Sequence, residues 1–525
     1  MKLTNWLKSR LFRSEKARRL KRCGFRPRLL METLEERSLL ATFYVATTGL
    51  DTNPGTAAQP FLTIQRAING APNSASSAID GDDVINVAAG TYSPSARITT
   101  GTSPNLTNLQ LLGGWDASFT ARSPSTTPTI VMPTYAYASV TPYDFSIAKP
   151  NTTIDGFYFV FDGTYGFGGT RASAGVGVGN GGSATGFVFS NNTVEVGSSF
   201  SGEAPGKSAG IVTLANSASM QVKDNVFMAD GFNNIDPGTF GDASHAIFIN
   251  PDAARTAATQ VTISGNTITG SRLASAIVVD TQGFVNITNN TIARTLTGNS
   301  FFDLIGLRAR SVAGAMTNVT ITGNTLDGNN RAGSSAIQLG DRGGSQAISG
   351  VTISNNFIRN TPAGLLVGPL PGDGTQTQSI SATLVNNSFE NNSSNIVFMT
   401  SAAGSSEIDA SGNWWGTNSE AGVVAKISGT TPSKRIDFTP YLDNGADTNL
   451  VTLGHEDRVV DIDVAAAVFA EHGEEAADTL GKILALDEVG RGDGTGVDHR
   501  IEGAVGGLVE DDGVEGFAGG LDADF

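Results

Sequence analysis

One alternating phrase of hydrophobic and polar positions keeps returning through the middle of the chain. It reads VTISGNTI (261–268), VNITNNTI (285–292), VTITGNTL (319–326), VTISNNFI (351–358), ATLVNNSF (382–389) and IDASGNWW (408–415). Looser copies precede it: FVFSNNTV (187–194), MQVKDNVF (220–227) and, without the asparagine, TTIDGFYF (152–159). Positions one and three are β-branched or aliphatic and the position between them is polar, so Val261 and Ile263 point inward while Thr262 points out. The Gly-Asn or Asn-Asn pair that follows predicts a sharp turn, because Asn tolerates left-handed backbone angles and its amide bonds nearby backbone. The chain then re-enters the core at Ile268. The sixth-position asparagines, Asn192, Asn225, Asn266, Asn290, Asn324, Asn356, Asn387 and Asn413, are separated by 24 to 41 residues. A unit of that length with variable insertions is the signature of a solenoid.

A further short strand follows within most units. These strands are GIVTL (210–214), AIFIN (246–250), AIVVD (276–280), LIGLR (304–308), AIQLG (336–340), GLLVG (364–368) and NIVFM (395–399). Several strands per unit, stacked parallel from one unit to the next, define an all-β fold, a single-stranded right-handed parallel β-helix. The hand follows from the strong preference of parallel crossovers. Stacking at about 4.8 Å per coil sets each asparagine above the last, where the amides form a ladder.

Composition fits tight coils. Gly contributes 64 of 525 residues and charged residues only 16%. No run of 18 apolar residues exists, so no transmembrane helix is expected. The single cysteine, Cys23, lies outside the repeat, and no disulfide can staple the fold. Charge divides the chain in three. Residues 1–28 hold 11 Lys/Arg and one acid, whereas residues 446–525 hold 4 Lys/Arg and 20 acids. An acidic coil region without a basic groove argues against a nucleic-acid partner. The expected organisation is a basic leader over 1–41, a β-helix over 42–445 and an acidic, Gly-rich, disordered tail over 446–525.

The leader has no uninterrupted apolar core of the secretory kind. Its segment Leu34-Glu35-Glu36-Arg37-Ser38-Leu39-Leu40-Ala41 resembles the LEPRxLL segment that opens many large exported bacterial proteins, with Glu36 where Pro or Asp is common. That resemblance implies export to the cell surface or beyond. The next stretch, FYVATTGLDTNPGTAAQPFLTIQRAINGA (43–72), resembles the entry segment of right-handed β-helix proteins of the pectate-lyase-like superfamily. The resemblance rests on Tyr44, Val45, Gly49, Asp51, Asn53, Pro54, Gly55, Thr56, Pro60, Phe61, Thr63, Ile64, Gln65, Ala67 and Ile68. Independently, the helical spacing of Phe61, Ile64 and Ile68 predicts a short amphipathic helix capping the open end of the first coil. GDDVINVAAGTY (81–92) and SGNWWGTNS (411–419) resemble the first and last coils of such proteins, and DFTPYL (437–442) the strand by which they exit.

The resemblance implies an extracellular polysaccharide as partner, and either a polysaccharide lyase or a glycoside hydrolase if the chain is an enzyme. It carries over no catalytic motif. From the register of the further strands, Ile247, Ile277, Ile305, Ile337 and Leu365 face inward. Asn250, Asp280 and Arg308 then form an outward column with Phe248 one step before, flanked by His245 on one side and by Arg310, Asp341 and Arg342 on the other. Asp280 and Arg308 are the candidate catalytic pair, because a polyuronate lyase needs acidic ligands to hold calcium against the substrate carboxylate and a Lys or Arg to take the C5 proton, and a hydrolase needs aspartates as acid and base. An ordinary surface ion-pair ladder would look the same. Trp414 and Trp415 offer a sugar-stacking platform, or else close the core of the last coil. Between 42 and 415 the only lysines are Lys149, Lys207 and Lys223, none of them in the column, so a lysine-based lyase gains no support. No metal-ligand spacing is present, and calcium is expected only if the protein is a lyase. The competing expectation is a structural or adhesive surface domain without catalysis.

Overall fold

The computed structural model describes residues 41–70, 83–101, 106–133, 145–161, 175–179, 184–196, 209–214, 219–228, 244–249, 256–270, 275–280, 283–295, 303–309, 314–330, 335–340, 346–369, 377–399 and 404–442. The expected leader and the expected acidic tail lie outside these residues, save Ala41. Within them the chain winds as a parallel β-helix with three strands to a full coil. In coil order, Val261–Ser264 enters the first sheet, Thr267–Thr269 the second and Ser275–Val279 the third. Among the described residues these sheets hold thirteen, ten and eleven strands, and each strand pairs with the corresponding strand of the coils before and after it. The pairing is parallel and in register: Val261 pairs with Val285, Val285 with Val319, and Val319 with Val351.

The alternation read from the sequence is the burial pattern of the first sheet. Val261 and Ile263 are buried and Thr262 and Ser264 half-buried, and the eighth position of the phrase, Ile268, is buried again. Each such aliphatic side chain contributes roughly 1.5–3 kcal/mol by leaving water. Repetition from coil to coil makes one continuous core from Phe43 to Tyr441.

The turn between the first and second sheets divides its work between two adjacent residues. The fifth position of the phrase takes the left-handed angle: Asn191 φ 53°, Asp224 57°, Gly265 66°, Asn289 56°, Gly323 68°, Asn355 55°, Asn386 57° and Gly412 67°. Gly, Asn and Asp are the residues that reach this region at least cost. The sixth position turns its amide inward and stacks. Asn266 Nδ2 donates to Asn290 Oδ1 at 2.9 Å, Asn290 to Asn324 at 2.9 Å, and Asn324 to Asn356 at 2.9 Å. Asn356 continues to Asn387 at 2.9 Å and Asn387 to Asn413 at 2.8 Å. Every ladder oxygen also accepts a backbone N–H from the coil before it, as Asn324 Oδ1 does from Asn290 N at 2.8 Å. The looser copies join at the other end through Asn192 and Asn225. TTIDGFYF, which lacks the asparagine, supplies the Phe157 N–H that caps Asn192 Oδ1 at 2.9 Å.

Both ends of the described core are covered. Helix α1, Ile64–Ile68, starts from the Thr63 cap and buries Ile64, Ala67 and Ile68. It rests against Thr42–Val45, Val84–Ala88 and Ile98–Thr99, the first strands of the first and third sheets. Phe61 precedes the helix rather than joining it, bridging to Val45 as extended chain, and is fully buried. At the far end Trp415 is 0% exposed, stacked on Phe389 at 5.7 Å and edge-on to Phe438 at 6.3 Å. Trp415 is thus a core residue, and its ring cannot meet a sugar. Trp414, one residue earlier on the alternating strand, points the opposite way and is half-buried.

Near the entry, the strand before Gly156 carries a buried carboxylate. Asp155 accepts from Ser190 Oγ at 2.6 Å, from Asn191 Nδ2 at 2.6 Å and from the Arg122 guanidinium. Desolvation pushes its pKa up, but those hydrogen bonds and the Arg122 charge outweigh that and hold it below the usual carboxylate range.

Two outcomes are expected. Asn324→Ala strands the Asn290 N–H groups and the Ile287 and Asn356 acceptors, at about 1–3 kcal/mol for each group left unpaired. Denaturant unfolding should show a large loss, against a change within about 0.5 kcal/mol for Asn286→Ala on the outward side of the first sheet. Because the folded-state pKa of Asp155 is depressed, its stabilisation is complete above the unfolded carboxylate pKa and is lost as pH falls through the folded value. Asp155→Asn should therefore flatten the acid limb of a stability-versus-pH profile without changing its neutral-to-alkaline shape.

Candidate functional site

The third sheet is buried on both faces. Its strands Ser275–Val279, Asp303–Leu307, Ser335–Leu339 and Ala363–Val367 contain no exposed or half-exposed residue. Their inward register is the expected one, Ile247 with Ile277, Ile305, Ile337 and Leu365 in line. The ladder skips the second residue of each strand. That residue (Ala246, Ala276, Leu304 or Ala336) joins the core beside the third. The two inward neighbours throw the first residue onto the outward face together with the fourth. His245 and Phe248 accordingly stack at 5.8 Å, and a Cβ placed on Gly306 would collide with the Asp303 carboxylate.

This local irregularity assembles a polar row. His245, Ser275, Asp303 and Ser335 succeed one another coil by coil, each two residues before an aligned inward isoleucine. Ser275 Oγ donates a short hydrogen bond to Asp303 Oδ1, and Arg308 Nη2 donates to Ser275 Oγ at 3.3 Å. His245 Nδ1 lies 3.3 Å from the Ser275 carbonyl, and Arg294 Nη2 reaches the Asp303 carbonyl at 3.3 Å. Gln378, from a later coil, donates to the Arg308 carbonyl at 3.0 Å. Asp280 and Arg308 hold equivalent places at the ends of successive strands, their N–H groups bonding Ile249 O and Val279 O at 2.9 Å each. The cluster thus contains two carboxylates, two guanidinium groups, an imidazole and hydroxyls. Such groups leave water only when they bond one another.

Of the candidates read from the sequence, His245, Phe248, Asp280 and Arg308 lie on this one face. Their surroundings differ from expectation. His245 is 0%, Asp280 3% and Phe248 5% exposed, so they line a covered interior rather than an open column; only Arg308 is half-buried. Asn250, Arg310, Asp341 and Arg342 lie outside the described residues. Trp414 belongs to the second sheet, because it bridges to Ser388. Sequence reasoning missed Ser275, Asp303, Ser335, Arg294 and Gln378. The first three had a usable signal, each standing two residues before an aligned inward isoleucine. Arg294 and Gln378 had none, since their proximity comes from coil stacking.

Among the described residues no group of three or more His, Cys, Asp or Glu side chains could hold a metal ion. The cluster's donors are in any case mixed with guanidinium groups, which suit an anion rather than a divalent cation.

A family model agrees with this architecture. The family described as right handed beta helix region matches residues 245–434, the stretch that contains the polar row. No curated protein matches the chain. Two of the solved structures similar to this chain are the following. The complex structure of XylC with xylose has 10% sequence identity and a TM-score of 0.36, covering 66% of this chain and 75% of that one. A rhamnogalacturonan lyase has 12% identity and a TM-score of 0.24, covering 75% and 84%. The fold is a right-handed parallel β-helix. Among the described residues no helix is long and apolar enough to cross a membrane.

Gly306 is a direct probe of the row. Gly306→Ala forces the Asp303 carboxylate off the Ser275 hydroxyl, and a loss of about 1–3 kcal/mol in unfolding free energy is expected. Asp303→Asn with Gly306→Ala should then lose less than the sum of the single changes, the non-additivity of groups in contact.

Proposed function

We propose that this chain is an exported or cell-surface β-helix protein that recognises an extracellular polysaccharide along the outward face of its third sheet. The observation that carries the proposal is Arg308, the half-buried cation at the edge of the buried row His245, Ser275 and Asp303, which donates to Ser275 and has Asp280 at the equivalent place one coil before. A guanidinium held in place there supports a hydrogen bond to a sugar chain passing along the coils. Export rests on the resemblance of residues 34–41, of which only Ala41 lies within the described residues.

Where the bound chain is a polyuronate, the same groups support cleavage by elimination. The Arg308 guanidinium, a planar fork of N–H donors, matches the uronate carboxylate and neutralises it. Asp280 takes the C5 proton. The C5–H electron pair forms the C4–C5 double bond, the C4–O bond breaks, and the departing oxygen is protonated to give a new chain end. The second reading, a structural or adhesive domain without catalysis, is favoured by the burial of His245, Asp280 and Asp303.

A panel of polyuronates and neutral glycans, followed by absorbance of unsaturated product and by new reducing ends, with and without added calcium, separates the two. Turnover of a polyuronate that falls at least 100-fold in Asp280→Asn and in Arg308→Lys, with unfolding midpoints retained, is the expected result. Product formation at the parent rate in both folded variants would displace the site. Absence of turnover on every member, together with retained binding, would establish the non-catalytic reading.

A further inference from the structure

The outward side of the second sheet changes character towards its C-terminal coils. Phe357, Ser388 and Trp414 follow one another in one column, since Phe357–Arg359 pairs in register with Ser388–Glu390 and Trp414 bridges to Ser388. Asp327, Arg359 and Glu390 form the parallel column two residues on. All six side chains are half-buried, with one side against the sheet and the other towards solvent. At about 4.8 Å per coil the two aromatic residues stand two coils, roughly 10 Å, apart with a hydroxyl between them.

The polar column is already organised. Arg359 Nε bonds Asp327 Oδ2 at 2.9 Å, and its guanidinium lies 5.2 Å from the centre of the Phe357 ring. Asn360 Nδ2 holds the other Asp327 oxygen at 3.1 Å. The cation is therefore neutralised in place and retains N–H groups for further bonds. Glu390 forms no ion pair within 4.0 Å among the described residues, and Ser388 Oγ approaches it at 3.4 Å.

We infer that this face binds an extended polysaccharide of uncharged sugars. Planar rings two coils apart offer apolar area to the C–H faces of alternate pyranose units, and the fixed carboxylates and guanidinium between them accept from and donate to ring hydroxyls. Charge selects the class. The only cation of the platform is engaged by Asp327, while Glu390 adds a negative charge on a chain whose net charge is −16. A polyuronate would meet repulsion without a compensating partner. The inference stands apart from the function proposed above, which concerns a different sheet and includes acidic glycans.

Affinity electrophoresis of the full chain decides it, in gels containing mixed-linkage β-glucan, glucomannan or polygalacturonate. Retardation by the two neutral polymers is expected, with polygalacturonate weaker. Trp414→Ala should weaken the neutral interaction about tenfold at an unchanged unfolding midpoint, the loss of one aromatic contact of about 1.4 kcal/mol. Should Trp414→Ala not fold, Glu390→Gln with Ser388→Ala serves instead, with a severalfold loss expected. Retardation that survives in Asp280→Asn and Arg308→Lys and disappears in the platform variants assigns binding to the second sheet. Retardation lost only in the third-sheet variants, retained in full by Trp414→Ala, strongest with polygalacturonate, or absent with both neutral polymers overturns the inference.

Discussion

A β-helix must turn sharply three times per coil without abandoning backbone polar groups in its interior, and here the inward asparagine amide settles the tightest of those turns. Left unpaired, each such group would cost about 1–3 kcal/mol, and eight turns together would exceed the whole stability of an ordinary domain. Asn324 answers one turn completely: its oxygen takes an N–H from the preceding coil and its amide serves the Ile287 carbonyl and Asn356. The in-register pairing of Val261, Val285 and Val319 follows from holding that turn alike in successive coils.

The same regularity explains how chemistry enters the fold. Side chains on a solenoid meet because they occupy the same place in successive coils, so a functional group is written at intervals of 24 to 41 residues rather than as a local motif. The skipped second residue of each third-sheet strand then alters which positions share a face, and it brings the first residue of the strand into line with the fourth. His245, Ser275, Asp303 and Arg308 converge by that device, whereas the second sheet collects Asp327, Arg359 and Glu390 by plain alternation.

Period-two patterning and the recurrent asparagine made the coil, its strands and its inward residues legible before any coordinates, because both are local consequences of backbone geometry. The inward line from Ile247 to Leu365 is a case in point. Exposure was less legible. Phe248 and Asp280 face away from the core yet are buried, and alternation along a strand tells which side a residue takes, not what lies over that side. The tandem tryptophans show the limit most simply: alternation requires one ring in and one out, but only the position of Asn413 tells which is which. Ser275 and Asp303 escaped notice because small or acidic residues at strand starts resemble ordinary caps, and only the coil-to-coil register makes them neighbours.

The ladder also has a direction. From Asn192 to Asn387 every Nδ2 donates one hydrogen bond to the Oδ1 of the asparagine in the coil that follows, so eight side-chain amides are joined head to tail as peptide units are in a helix. The solenoid is thereby polar, with an acceptor end closed by the Phe157 N–H and a donor end closed by the Leu384 and Ala410 carbonyls. A coil duplicated within the row keeps both rules automatically. A coil added at either terminus must bring the matching donor or acceptor, which makes internal duplication the easier route by which such a chain lengthens.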